Sequence, residues 1–149
     1  MRIPLSIVVM LSLVGFVAAG CSNAPVSTAG SDHDMLAMAA MGDMPEEVQS
    51  AAITVSQAYR FAAVNADTLR ALPCYCGCGP IGHKSNYDCY IAGTEASGAL
   101  SFDGHALGCG ICVDITQDAM RLLREGKSLK DIRAYVDGAY SRFGSSNMP

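Results

Sequence analysis

Hydrophobic and polar positions divide the chain into three unlike stretches. Residues 3–18 form one apolar run behind Met1 and Arg2. That length suits the core of a signal peptide and falls short of a comfortable membrane span. Residues 22–42 carry no apolar period and are rich in Ser, Ala, Gly and Asp. A helical period then begins behind Pro45-Glu46-Glu47, a proline and two acids suited to a helix start. Val48, Ala52, Val55, Tyr59 and Ala62 fall at three- and four-residue steps and predict one helix over 45–64. Asn65 is placed to cap a short helix over 66–72, which Pro73 ends. Residues 90–107 lose the period around Gly93, Gly98 and Gly104, with short strands expected near 90–91 and 100–102.

A third helix is expected from Cys109, with Cys112, Ile115, Ala119, Leu122 and Leu123 inward and Gly126 as its stop. Ser128 with Asp131 resembles a capping box and opens a fourth. Its face is Leu129, Ile132, Tyr135, Val136, Ala139 and Tyr140, extended by Phe143, and its aromatic residues read as core. Residues 145–149 should fray. The expected fold is mainly α: about four helices around an irregular cysteine-rich loop region, over 45–144.

Composition changes this picture at the cysteines. The 149 residues include seven of them, with eight Met and no Trp. The formal charge of −4 supplies no basic patch for nucleic acid. Ala18-Ala19-Gly20-Cys21 places small residues directly before a cysteine, as in a bacterial lipoprotein processing box, although Ala18 stands where leucine is usual. Cleavage there gives a signal peptide over 1–20 and a lipidated Cys21, anchoring an exported protein to the membrane. The competing reading is an ordinary signal peptide that leaves Cys21 as a stray thiol. Residues 21–44 then form a flexible tether, about 26 Å across as a coil for its roughly 21 linker residues. His33, Met35, Met38, Met41 and Met44 are candidate accessory ligands, because thioethers suit Cu(I). Steps of three put Met35 and Met44 on opposite faces of a helix, so no helical stripe explains them. Chance occurrence of Met in an alanine-rich linker does.

The remaining six cysteines lie between positions 74 and 112. Pro73-Cys74-Tyr75-Cys76-Gly77-Cys78-Gly79-Pro80 puts three of them at alternate positions, on one face of an extended chain, about 7 Å apart. Gly77 and Gly79 permit a tighter curl. Two thiolates at that distance repel by about 2.4 kcal/mol at an effective dielectric of 20, so several stay ionised together only around a cation. Thiolates select Cu(I), Zn(II) or iron–sulfur clusters. Disulfides to distant cysteines are the competing reading; neighbouring C-x-C residues are poor partners for each other. Cys109-Gly110-Ile111-Cys112 stands at a helix start, which favours thiolates for metal ligation or redox chemistry, without the βαβ context of a thioredoxin-like site. A compact domain must fold these two groups together.

Cys74, Cys76, Cys78, Cys89, Cys109 and Cys112 are therefore candidates for one site, with His83 and His105 as further ligands or hydrogen-bonding residues. Ser85, Asn86 and Asp88 read as turn formers and donors, and Lys84 as a counter-charge. No carboxylate pair, phosphate loop or nucleophile–base set is visible, which argues against an enzyme.

Several segments together resemble the bacterial lipoproteins and related proteins defined by a PCYCGC motif. They are Tyr59-Arg60-Phe61-Ala62, the motif at 73–78, Gly82-His83-Lys84-Ser85-Asn86, Asp88-Cys89, His105, the C-x-x-C at 109–112 and Gly126-Lys127-Ser128, across 59–143. The resemblance implies a loose tie to heavy-metal handling. The function expected is extracytoplasmic soft-metal binding, with Cu(I) first and Zn(II) or Hg(II) as other occupants, in exchange with a metal-donor or metal-acceptor protein. A disulfide-stapled partner-binding lipoprotein and an envelope thiol–disulfide oxidoreductase are the alternatives.

Overall fold

A computed structural model describes residues 36–148. The leader, Cys21, His33 and Met35 lie outside the described residues. The helix expected over 45–64 is two helices, α1 (Glu46–Gln49) and α2 (Ile53–Val64). Ser50 ends the first: its hydroxyl donates to the Glu46 and Glu47 carbonyls, and its N–H closes on Glu46. Serine competes with the helix ladder in this way. Ala52 is extended (φ −53°, ψ 146°), so α2 restarts in a new direction, with Val48 buried and Ile53 in solvent.

Asn65 occupies the cap position before α3 (Ala66–Arg70) without capping it. Its amide donates instead to Phe61 O and Ala37 O, both at 2.8 Å. The second bond helps hold residues 36–44 against the domain. Ala39 N donates to Arg60 O at 3.0 Å, and Arg60 Nε to Ala39 O at 2.7 Å. The expected tether over 21–44 is therefore bound at its distal end. Met44 is buried and Met38 packs on the core edge, roles that apolar packing explains, while Met41 is exposed.

The strands fall close to where they were expected: β1 (Ile91–Thr94) and β2 (Leu100–Phe102) form an antiparallel hairpin with an irregularity between Ile91 and Gly93. Among the described residues, five helices and this small sheet make the fold mainly α. Helix α4 (Gly110–Arg124) packs against α2 and against α5 (Leu129–Tyr140). The turn between α4 and α5 follows the sequence closely. Gly126 takes φ +72°, with Gly126 N on Leu123 O and Lys127 N on Leu122 O, the paired bonds of a Schellman stop. Ser128 Oγ then accepts from Asp131 N.

Tyr59, Phe61, Leu69, Leu72, Tyr90, Ile115 and Ile132 are fully buried. Each aliphatic side chain among them contributes up to about 1.5–3 kcal/mol of burial. The α4 face is wider than expected, taking in Val113, Thr116 and Met120. The α5 face is narrower. Leu129, Tyr135 and Phe143 are exposed, so Tyr135 and Phe143 are not core residues. Arg121 lies over the Tyr135 ring and Arg142 over that of Phe143, covering apolar faces that the core does not reach.

Candidate metal centre

The proline-bracketed loop is curled. Gly77 at φ +83° and Gly82 at φ +98° sit where a side chain would be strained. The curl brings Cys74 Sγ to 3.3 Å from Cys76 Sγ, less than half the spacing of an extended chain. Between them, Tyr75 donates its hydroxyl to Asp137 Oδ1 at 2.7 Å, which ties the loop to α5. The tail, expected to fray, closes over the same loop. Cys74 N donates to Asn147 Oδ1 at 2.7 Å, and Asn147 N to Cys74 O at 3.1 Å. Asn147 Nδ2 reaches both Ser85 O (3.1 Å) and Cys78 Sγ (3.6 Å). Gly144 makes the approach possible, since a Cβ there would stand 2.8 Å from Tyr75 O.

The C-x-x-C pair arrives from the other side, at the N-terminus of α4. Cys112 Sγ lies 3.2 Å from Cys109, 3.3 Å from Cys74 and 3.6 Å from Cys76. A buried polar network fixes that end of the helix. Tyr90 donates to Cys112 O at 2.7 Å and meets Thr116 Oγ1 at 2.8 Å, and Asn86 Nδ2 donates to the same Thr116 oxygen at 2.7 Å. Cys78 and Cys89 Sγ stand 3.8 Å apart. All six cysteines among the described residues are free thiols.

Both histidines join the sulfurs. His105 Nε2 is 3.4 Å from Cys76 Sγ. His83 and His105 meet edge to face at 5.2 Å. Asp103 lies behind them: Oδ2 is 3.5 Å from His83 Nε2, and Oδ1 accepts from His105 N at 2.7 Å. The Asp103 backbone is held in turn by Tyr59, whose hydroxyl donates to Asp103 O at 2.7 Å. Three sets of four donors have their ligand atoms within 4.8 Å of one another: Cys74, Cys76, Cys78 and Cys89; Cys76, His105, Cys109 and Cys112; Cys78, His83, Cys89 and His105. Their shared members join all eight residues into one array. This cysteine-rich cluster could hold a metal ion.

Its charge is limited. Hydrogen bonds from Cys112 and then Cys89 pull the Cys74 thiol far below the ordinary thiol range. The hydrogen bond to Cys74 pushes Cys112 up, and burial pushes Cys76 and Cys78 up. The opposed shifts follow from thiols close enough to share protons, one favoured as the acceptor at the expense of its neighbours. Deprotonating the neighbours requires positive charge among them.

The structure therefore gathers all eight residues proposed from the sequence between 74 and 112. Asn86 is a donor as expected, though to the Thr116 hydroxyl and not to sulfur or backbone, whereas Asp88 is an acceptor, from Lys84 N and Ser85 N, and Lys84 itself is exposed. Tyr90, Asp103, Thr116 and Asn147 are the supporting residues that sequence reasoning missed. Asp103-Gly104-His105 was readable as a turn; the others have partners 22 to 73 positions away.

A family described as "Protein of unknown function with PCYCGC motif" matches residues 8–147. No curated protein and no solved structure matches the chain.

Proposed function

The chain belongs to the PCYCGC-motif family, and on that premise we propose that it is an exported, membrane-anchored protein that binds soft metal ions, Cu(I) foremost, for storage, buffering or transfer. The observation that supports this most is the meeting of the C-x-C-x-C loop with the C-x-x-C helix start at sulfur separations of 3.3 to 3.6 Å. Clustered thiolates are soft donors that suit Cu(I). The donors differ in access. Cys76, Cys109 and His105 are half-buried, whereas Cys74, Cys78, Cys89 and Cys112 are buried. An ion handed over by a partner protein meets the first three and moves inward by exchange of one thiolate for the next. Zn(II) and Hg(II) can use the same donors. Every member of the array is a thiol or an imidazole within reach of the others, a set suited to holding ions, so the reading is of a binder and not an enzyme. Lipidation at Cys21 is the anchor in this reading, holding the protein on the extracytoplasmic face of a bacterial envelope.

Thiol counting under denaturing conditions, before and after Cu(I) titration of reduced protein, tests this. The expected result is six reactive thiols in the mature domain, all lost in step with bound Cu(I). Three persistent disulfides in protein taken from its own envelope, or reactive thiols unaffected by Cu(I), contradict it.

A further inference from the structure

The eight donors are not chemically uniform. Cys74, Cys76, Cys109 and Cys112 form a sulfur-only group linked by contacts of 3.2 to 3.6 Å. Cys78, Cys89, His83 and His105 form a second, mixed group with all four ligand atoms within 4.8 Å. We propose that the mixed group is a separate site for one borderline divalent cation of the Zn(II) type, filled beside the soft-metal ions and not in place of them. This rests on the metal-binding reading above and adds a second class of ion to it.

Three observations point to a ligand there. First, the Cys78–Cys89 separation of 3.8 Å equals the edge of a tetrahedron with metal–sulfur bonds of about 2.3 Å, the usual Zn–S length. The contacts among the sulfur-only group are all shorter. Second, His83 is only 9% exposed, and its Nδ1 is buried with no hydrogen-bond partner. An orphaned ring nitrogen in such surroundings is costly unless it binds something. Its other nitrogen, Nε2, faces Asp103, which is how a carboxylate sets the tautomer of a metal-ligating histidine and leaves the opposite nitrogen to donate. Third, each half of the group has outer support. Asp103 accepts from the backbone of His105 as well, and Asn147 Nδ2 points at Cys78 Sγ, an N–H suited to a sulfur carrying negative charge. Two imidazoles and two thiolates in a tetrahedron are a usual Zn(II) set, and a divalent ion of that kind accepts ring nitrogen beside sulfur, whereas Cu(I) favours soft thiolate sulfur.

The test uses the full chain, reduced and stripped of metal, loaded with one equivalent of Zn(II) or of ¹¹³Cd(II). X-ray absorption of the zinc form should show two sulfur and two nitrogen neighbours. In protein with ¹⁵N-labelled histidine, the cadmium signal should couple to two ring nitrogens, a measurement that needs no variant. His83→Ala should lower Zn(II) affinity by at least about tenfold, and Asp103→Asn by about 10- to 100-fold, the range found for outer partners of metal ligands. Both variants should weaken Zn(II) binding by a much larger factor than they weaken the uptake of Cu(I) by the sulfur-only group. A four-sulfur shell without nitrogen coupling, or Cu(I) uptake with no uptake of Zn(II) or ¹¹³Cd(II), overturns the mixed site while sparing the soft-metal reading. Failure to take up any of the three ions overturns both.

Discussion

The two cysteine motifs reach the same array by different means. Cys109 and Cys112 belong to the start of α4, where their spacing and direction follow from the helix itself, with the Tyr90–Thr116–Asn86 network bracing that end. Cys74, Cys76 and Cys78 have no regular structure to hold them. Their loop depends on a left-handed glycine at its apex, on Tyr75 reaching Asp137, and on a tail that returns from residue 147. A helix-mounted pair is a fixed wall. A loop held by a few long-range bonds can give by the fractions of an ångström that taking in or releasing an ion requires. The half-buried Cys76 lies on this second, adjustable side.

Loosening each side in turn should separate them. The largest loss of stability is expected on the helix side. Thr116→Val keeps the shape but strands the fully buried Asn86 amide, at a cost of about 1–3 kcal/mol in chemical denaturation. Gly77→Ala comes next: a Cβ at φ +83° costs about 1–2 kcal/mol and distorts the loop at its turn. Its effect on Cu(I) retention in a chelator challenge should exceed that of Thr116→Val, despite the smaller loss of stability. Asn147→Ala should be mildest, about 1 kcal/mol, because the residue is half-buried and its partners can turn to water. It should nevertheless quicken alkylation of Cys74 and Cys78 in metal-free protein while leaving Cys109 unchanged. Equal quickening at both motifs, read by peptide mass mapping, contradicts the difference drawn here.

What was legible in the sequence follows the same division. The α4–α5 turn was readable because Gly126 and Ser128 act on their immediate neighbours. The gathering of the six cysteines was also readable, since both motifs fall within 39 residues of a small domain. The break at Ser50 was hidden because the apolar steps continue through it; only the side chain's bonds back to the preceding turn end the helix. Asn65 had the right type and place for a cap, yet tertiary partners claimed its amide. Asn147 carries no local signal. Its meaning lies 73 residues away, at Cys74, and neither periodicity nor composition can register such a pairing. Tyr135 and Phe143 fit the α5 period but lie beyond the width of the face that α4 covers.

In the proposed function, thiols from both motifs share ions in a bridged cluster, which X-ray absorption at the copper edge examines directly. Cu(I)-loaded protein should show Cu···Cu scattering from thiolate-bridged ions, and the double variant Cys109→Ser, Cys112→Ser should lose that scattering together with part of its copper. Isolated copper ions in the parent protein, or a double variant with unchanged scattering and stoichiometry, would mean that the two motifs bind separately.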